Sequence, residues 1–295
     1  MSQLPSAPAP ESILRPLAEV YPQLYLIPGE EGARLWQDIV RRGKKAPSES
    51  LAHFRGDSLD SITTEDTPAG SVQAVTLGNR QDFELFLQIM VFKCVPTAIP
   101  ATQGASILDG VVNWTKIRAH EEEWLRAGGA ESGLKEEFKR FTSDRRNYTD
   151  ALIVLAVGPY SAVPASKVGL DEEVWFRASQ AIRKHHECTH FICRRLFREK
   201  INPVWDELVA DAVGLYAAFG RYDPELAAVL LGVSERGYTG GRLENYKHEE
   251  DLETLSRKVY RTLRHLADCI RSLDPISPYD LAIRLEDEYS FWTQG

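Results

Sequence analysis

Three of the seven histidines fall within residues 185–190, which read HHECTH. Inside that run His186, Glu187 and His190 make the pattern H-E-x-x-H. Imidazole nitrogens are ligands for zinc and related cations. On a helix, positions i and i+4 share a face, so both rings can reach one ion. Glu187 is rotated by one residue and points beside that ion, where its carboxylate can act on a water. The face shared with Ile182, Cys193 and Phe197 is apolar, so the two histidines look inward. A catalytic zinc site needs a third protein ligand and an open position for water. Residues 205–214, WDELVADAVG, supply one. Glu207 lies 17 positions after His190, and Asp211 lies one helical turn after Glu207. Glu207 can therefore ligate. Asp211 can hydrogen-bond the far nitrogen of a ligating histidine, which sets the tautomer and strengthens the ligand. His185 reads as a neighbouring non-ligand, Cys188 as a small buried side chain, and Asp206 as a charge near a helix start.

The surrounding pattern predicts the elements that must hold these groups. Residues 170–200 read as one long helix, opened by Asp171, Glu172 and Glu173, whose charges suit a helix N-terminus. Pro203 starts a second helix that runs to Phe219 and stops at Gly220. Asp223 caps a short helix to Leu231. Residues 232–241 read as a loop, 243–273 as a long periodic helix and 278–289 as a last one. Upstream, 23–27 suggests a short strand, 31–42 a helix and 43–70 a long polar surface loop. Residues 71–77 alternate as a strand, and 80–94 repeat as a helix. Residues 101–114 read as a loop then a buried strand. Residues 115–141 read as two helices broken near Gly128 and Gly129. Residues 150–157 (DALIVLAV) form the strongest strand in the chain. The expected class is α+β and helix-dominated. A mixed N-terminal lobe with a small sheet spans 13–170, after a disordered leader over 1–12. A helical lobe spans 171–295, with the metal helix between the two, and both belong to one compact unit.

HExxH on one helix followed by E-x-x-A-D on the next resembles the gluzincin group of zinc metallopeptidases. HECTH and ELVAD carry that resemblance. It implies a zincin-like metal helix, with zinc on His186, His190 and Glu207 and with Asp211 contacting the first histidine. It also implies that Glu187 takes a proton from a zinc-activated water that attacks an amide or peptide carbonyl. Glu187 then delivers the proton to the leaving amine. A downstream Tyr or His stabilises the oxyanion in that group. The candidates here are Tyr246 and His248, then Tyr238 and Tyr160, and Arg242 could pair with a substrate carboxylate. The strand at 151–157 is similar in position to the edge strand that binds extended substrates in such enzymes.

Composition narrows the field. The chain of 295 residues is 43% hydrophobic and 26% charged, which excludes disorder over most of its length. No run of about 18 apolar residues occurs, so no membrane span is expected. The net charge of -8 argues against nucleic acid as a partner. Four cysteines, none in a CxxC pair, read as reduced thiols in a cytoplasmic setting. The expected substrate is a small peptide or amide taken over a narrow range, since an unregulated cytoplasmic protease is hazardous. Oligomeric state is left open. Two other classes share the residue set. One is a non-haem Fe(II) oxygenase or biosynthetic metalloenzyme, built on two His and one carboxylate. The other is a non-catalytic metal-binding protein. Zinc is preferred over Fe2+ because an iron site has no stated need for Glu187.

Overall fold

A computed structural model of the chain describes residues 11–197, 202–246 and 251–294. The chain divides into two units. The first comprises 1–63, 73–99 and 108–156, and the second 64–72, 100–107 and 157–295. The helix-dominated α+β class expected above is the class observed.

The first unit begins with helices α1 (Glu11–Val20) and α2 (Glu30–Arg42), separated by a 3-10 turn at Pro22–Tyr25. Residues 22–25 are thus a turn and not the expected strand, because Pro22 opens a 3-10 helix instead. Strands β1 (Ser61–Thr67) and β2 (Gly70–Leu77) follow. The two residues that join them permit only an antiparallel hairpin. β1 lies inside the expected loop. It is mostly exposed, so it carries no apolar alternation to announce it. Helix α3 (Arg80–Met90), strand β3 (Ala105–Val112), helices α4 (Trp114–Arg126) and α5 (Leu134–Thr142), and strand β4 (Thr149–Ala156) come next in the chain; residues 64–67 of β1, 70–72 of β2 and 105–107 of β3 fall in the second unit.

The sheet order is β1-β2-β4-β3. β2 and β4 run parallel, with Ala74 opposite Ile153 and Val75 opposite Val154. The strongest strand, β4, therefore lies inside the sheet and not at its edge. Its apolar run goes with coverage of both faces, since residues 152–156 are all buried. β3 is an edge strand. One core, with Leu24, Phe83, Phe86, Val75 and Val154, belongs to this unit.

The second unit holds α6 (Ala165–Val168), α7 (Glu172–Leu196), α8 (Pro203–Phe219) and α9 (Pro224–Leu231). A two-stranded ribbon, β5 (Val233–Ser234) with β6 (Gly237–Tyr238), and a 3-10 turn at Arg242–Tyr246 lead into α10 (Leu252–Arg271). α11 (Pro278–Glu286) and α12 (Tyr289–Gln294) end the chain's described part. The long helix expected from 243 starts later, because 242–246 form the 3-10 turn and Asp251 caps α10. The divide between units falls after Ala156, and not at 170, because Tyr160 and Ala165 join the core of Trp175, Ile182, Leu208 and Val213. The expected leader lies outside the described residues except for 11 and 12, which begin α1.

Local chemistry sets the two helices that matter most. Asp171 accepts from the backbone N–H groups of Glu173 and Val174 and caps α7. Asn202 accepts from those of Val204 and Trp205, with Pro203 in the first turn of α8. Gly220, in the left-handed region, ends α8. The short link between α7 and α8 makes them antiparallel neighbours. They approach closely at Gly214. A Cβ there would stand 2.8 Å from the Ile182 carbonyl oxygen and 3.0 Å from the Ile182 Cγ2. Ile182 lies one turn before His186, and Gly214 lies three residues after Asp211. Among the described residues no helix is long and apolar enough to cross a membrane.

The contact at Gly214 generates a prediction. Gly214→Ala should destabilise the chain by about 1–3 kcal/mol, as overpacking does. It should also weaken metal binding by spreading His186 from Asp211. Chemical denaturation and zinc titration measure the two effects.

Candidate metal centre

α7 brings His186 and His190 to one face, and α8 brings Glu207 against them. The two Nε2 atoms are 3.0 Å apart. Glu207 Oε2 is 3.5 Å from the His186 Nε2, and Oε1 is 3.4 Å from the His190 Nε2. Zinc–nitrogen and zinc–oxygen bonds of about 2.0–2.2 Å at tetrahedral angles imply edges of roughly 3.3–3.6 Å. The three donor atoms are thus already at ligand spacing. All three residues are largely buried.

The far sides of both rings are held. His186 Nδ1 lies 3.0 Å from Asp211 Oδ1 and 3.0 Å from the Tyr160 hydroxyl. His190 Nδ1 lies 2.8 Å from Asp206 Oδ2. A carboxylate only accepts hydrogen bonds, so each Nδ1 carries the proton. With both rings neutral, each would then turn an Nε2 lone pair towards the other. Two such lone pairs 3.0 Å apart need a cation between them. Glu207 Oε2 is buried with no hydrogen-bond partner, which is costly for a polar atom unless an ion satisfies it. This donor set of two imidazoles and one carboxylate fits zinc.

Electrostatics point the same way. Burial opposes charge on His190, but Asp206 and then Glu207 outweigh it and hold its pKa well above the usual histidine value. The space between the rings therefore takes a cation: a proton on His190, or a metal ion in its place. Burial also opposes ionisation of Glu207, yet His190, then His186 and Arg242, keep its carboxyl well below the usual range. For Asp211 burial is likewise outweighed, chiefly by Arg242, then by His186 and Tyr160.

A second layer fixes this arrangement. The Tyr160 hydroxyl donates to Asp211 Oδ1 at 2.7 Å. Arg242 donates from Nη2 to Asp211 Oδ2, and from Nη1 to the Tyr160 hydroxyl at 2.9 Å and Ser161 Oγ at 3.2 Å. The segment carrying Tyr160 is clamped to α7. Arg183 donates to the carbonyls of Gly158 and Pro159, both at 2.6 Å, and the Tyr160 N–H donates to Ser179 Oγ. Ser161 and Ala162 both take positive φ, 53° and 57°, a strained turn that this clamp must sustain. Burial pushes the Tyr160 phenol well above its ordinary value, with Arg242 opposing and Asp211 adding.

His186, Glu187, His190 and Glu207 open on a cavity of about 420 Å³. Tyr160, Arg242 and Tyr246 line it, and so do Ala105, Ser106 and Ile107 at the start of β3. Every lining residue belongs to the second unit. Burial raises the Tyr246 phenol, with Arg242 opposing and Glu207 adding. A protonated phenol facing Glu207 is a hydrogen-bond donor.

Several expectations change here. Arg242 pairs with Asp211 and the Tyr160 hydroxyl, with its side chain 10% exposed, and it also lines the cavity. Tyr160 lines the cavity, but its hydroxyl is committed to Asp211. Tyr238 is withdrawn: its hydroxyl donates to the Gly241 carbonyl, and it does not line the cavity. His248 lies outside the described residues. Asp206, read as a helix-start charge, holds His190 as Asp211 holds His186. The signal was present in WDELVAD, where acids flank Glu207 at one residue before and four after. His185 faces the Ala181 carbonyl and the Tyr279 ring, away from the ligand cluster. Cys188 is buried, its thiol pushed up to about 12 by burial.

The model of a family of unknown function (DUF7005) matches residues 25–276, so the chain belongs to that family. No curated protein and no solved structure matches it.

The two outer carboxylates should be separable from the ligands. Asp206→Asn should weaken zinc binding about 10–100-fold while leaving the fold intact. Competition with a chromophoric chelator reads the affinity, and circular dichroism reads the fold.

Proposed function

We propose that this chain is a zinc-dependent hydrolase of the metallopeptidase type, acting on an amide or peptide bond. The observation that carries this reading is the convergence of two imidazole lone pairs and an unpartnered buried carboxylate oxygen at ligand spacing. Glu187 opens on the same cavity. A bound zinc ion would supply Lewis acidity, acidifying a water and polarising a carbonyl. Glu187 takes the proton of that water at its carboxylate and passes it to the leaving nitrogen. Among the described residues the Glu187 carboxylate has no side-chain hydrogen bond or ion pair. Tyr246 donates its phenolic O–H to the carbonyl oxygen as charge develops there. Asp206 and Asp211 keep both ligating rings in the tautomer that binds.

The cavity size supports a small substrate, since it falls in the range of ordinary small-molecule sites. The start of an edge strand in its wall supports an extended amide, because an exposed strand edge can pair with a peptide backbone. Four free thiols support a reducing, cytoplasmic setting.

Two measurements test the reading. Elemental analysis should find zinc at this site in the wild type, lost in His190→Ala. Iron there, with oxygen uptake, would replace hydrolysis by oxygenase chemistry. No metal after zinc is offered would sink the reading altogether. Against peptide and N-acyl amino acid libraries, Glu187→Gln should retain zinc and lose about 10²–10⁴-fold in kcat. Undiminished activity in that variant would remove Glu187 as the base. Tyr246→Phe should lower kcat by about 10²–10³-fold with KM little changed, as loss of an oxyanion donor does.

A further inference from the structure

A second cluster of metal-ligating side chains lies in the helical unit, outside the cavity described above. His265 and Cys269 stand at i and i+4 on α10, and so share one face. Glu288, in the link between α11 and α12, reaches the same point. The His265 Nε2 is 3.1 Å from Glu288 Oε2 and 3.4 Å from Cys269 Sγ. The three donor atoms all lie within 4.8 Å of one another.

Both contacts meet the same ring nitrogen. A Cys–His–Glu catalytic relay would need the thiol on one ring nitrogen and the carboxylate on the other. Convergence on one point is instead the geometry of ligands around an ion. Zinc–sulfur bonds of about 2.3 Å and zinc–nitrogen or zinc–oxygen bonds of about 2.0–2.2 Å give tetrahedral edges of roughly 3.4–3.6 Å. The observed spacings fall within a few tenths of an ångström of those edges. Neighbours hold two of the three groups in place. The Phe291 ring stacks on His265, with centroids 3.8 Å apart and planes at 7°. Arg284 pairs with Glu288 Oε1 at 3.8 Å, leaving Oε2 for His265. His265 and Glu288 are each a quarter exposed, so a water can complete the coordination.

We propose that His265, Cys269 and Glu288 form a second metal site, for zinc or a cation of like preference. One thiolate, one imidazole and one carboxylate suit zinc and cobalt better than magnesium or calcium, which take oxygen ligands. The ion would tie the link between α11 and α12 to α10. The site stands independently of the hydrolase reading, since it shares no residue with it.

Cobalt(II) alone, added to the metal-free full chain, is the discriminating probe. The site around His186 has no sulfur ligand, so a thiolate-to-cobalt charge-transfer band reports only the second site. The band should appear in the wild type, persist in His190→Ala and disappear in both Cys269→Ser and His265→Gln. Two variants on different ligands guard against a folding defect in either, which circular dichroism would reveal. Zinc should displace the cobalt and bleach the band. A wild type without the band overturns the proposal. So does a band that survives Cys269→Ser and vanishes in Cys193→Ser. Neither result bears on zinc at His186, His190 and Glu207, which metal content in His190→Ala tests separately.

Discussion

Two imidazole nitrogens facing each other 3.0 Å apart are the constraint on which the site depends. Left as lone pairs they repel, so something positive must stand between them. Their orientation is not free to relax. Asp206 and Asp211 each hold one Nδ1, and a carboxylate demands the proton on that side. The pair of acids one residue before and four after Glu207 thereby fixes the orientation of both rings. All five groups come from α7 and α8. The close approach of these helices at Gly214 is what lets side chains on separate helices meet at ligand distances.

Burying this much charge is costly unless every group is paired. Asp211 is fully buried, and it is satisfied by three donors: His186, Tyr160 and Arg242. Arg242 comes from the 3-10 turn before α10, and Tyr160 from the strained turn before α7. The network therefore draws together segments that share no sequence neighbourhood. Its function is positional. Glu187 and Tyr246 line the cavity outside this network.

The sheet shows how position in a fold alters the meaning of a segment. The apolar run of β4 was the clearest strand signal, and it marks burial on both faces of the sheet, while its place between β2 and β3 is a separate fact. The edge belongs to β3, whose first residues line the cavity and whose sequence, ASILDGVV, is weaker as a strand pattern. An apolar run reports coverage of both faces. It says nothing about whether the strand's hydrogen-bonding edges are shared.

The grouping of the candidate ligands was legible because helical periodicity is local. His186 and His190, and likewise Glu207 and Asp211, fall on one face by spacing alone, and caps at Asp171 and Asn202 mark where each helix starts. The α+β class followed from the same periodicity. Other assignments depended on which segments meet. Asp206 looked like a helix-start charge until its partner was known. Arg242 looked like a free cation, and Tyr238 stood behind Tyr246 as a second candidate. The convergence of His265 and Cys269 with Glu288 also needed the chain to turn back between α11 and α12. Periodicity decides which way a side chain points from its own element. Only packing decides what stands opposite, because that depends on residues far away in sequence whose charge and shape no local pattern encodes.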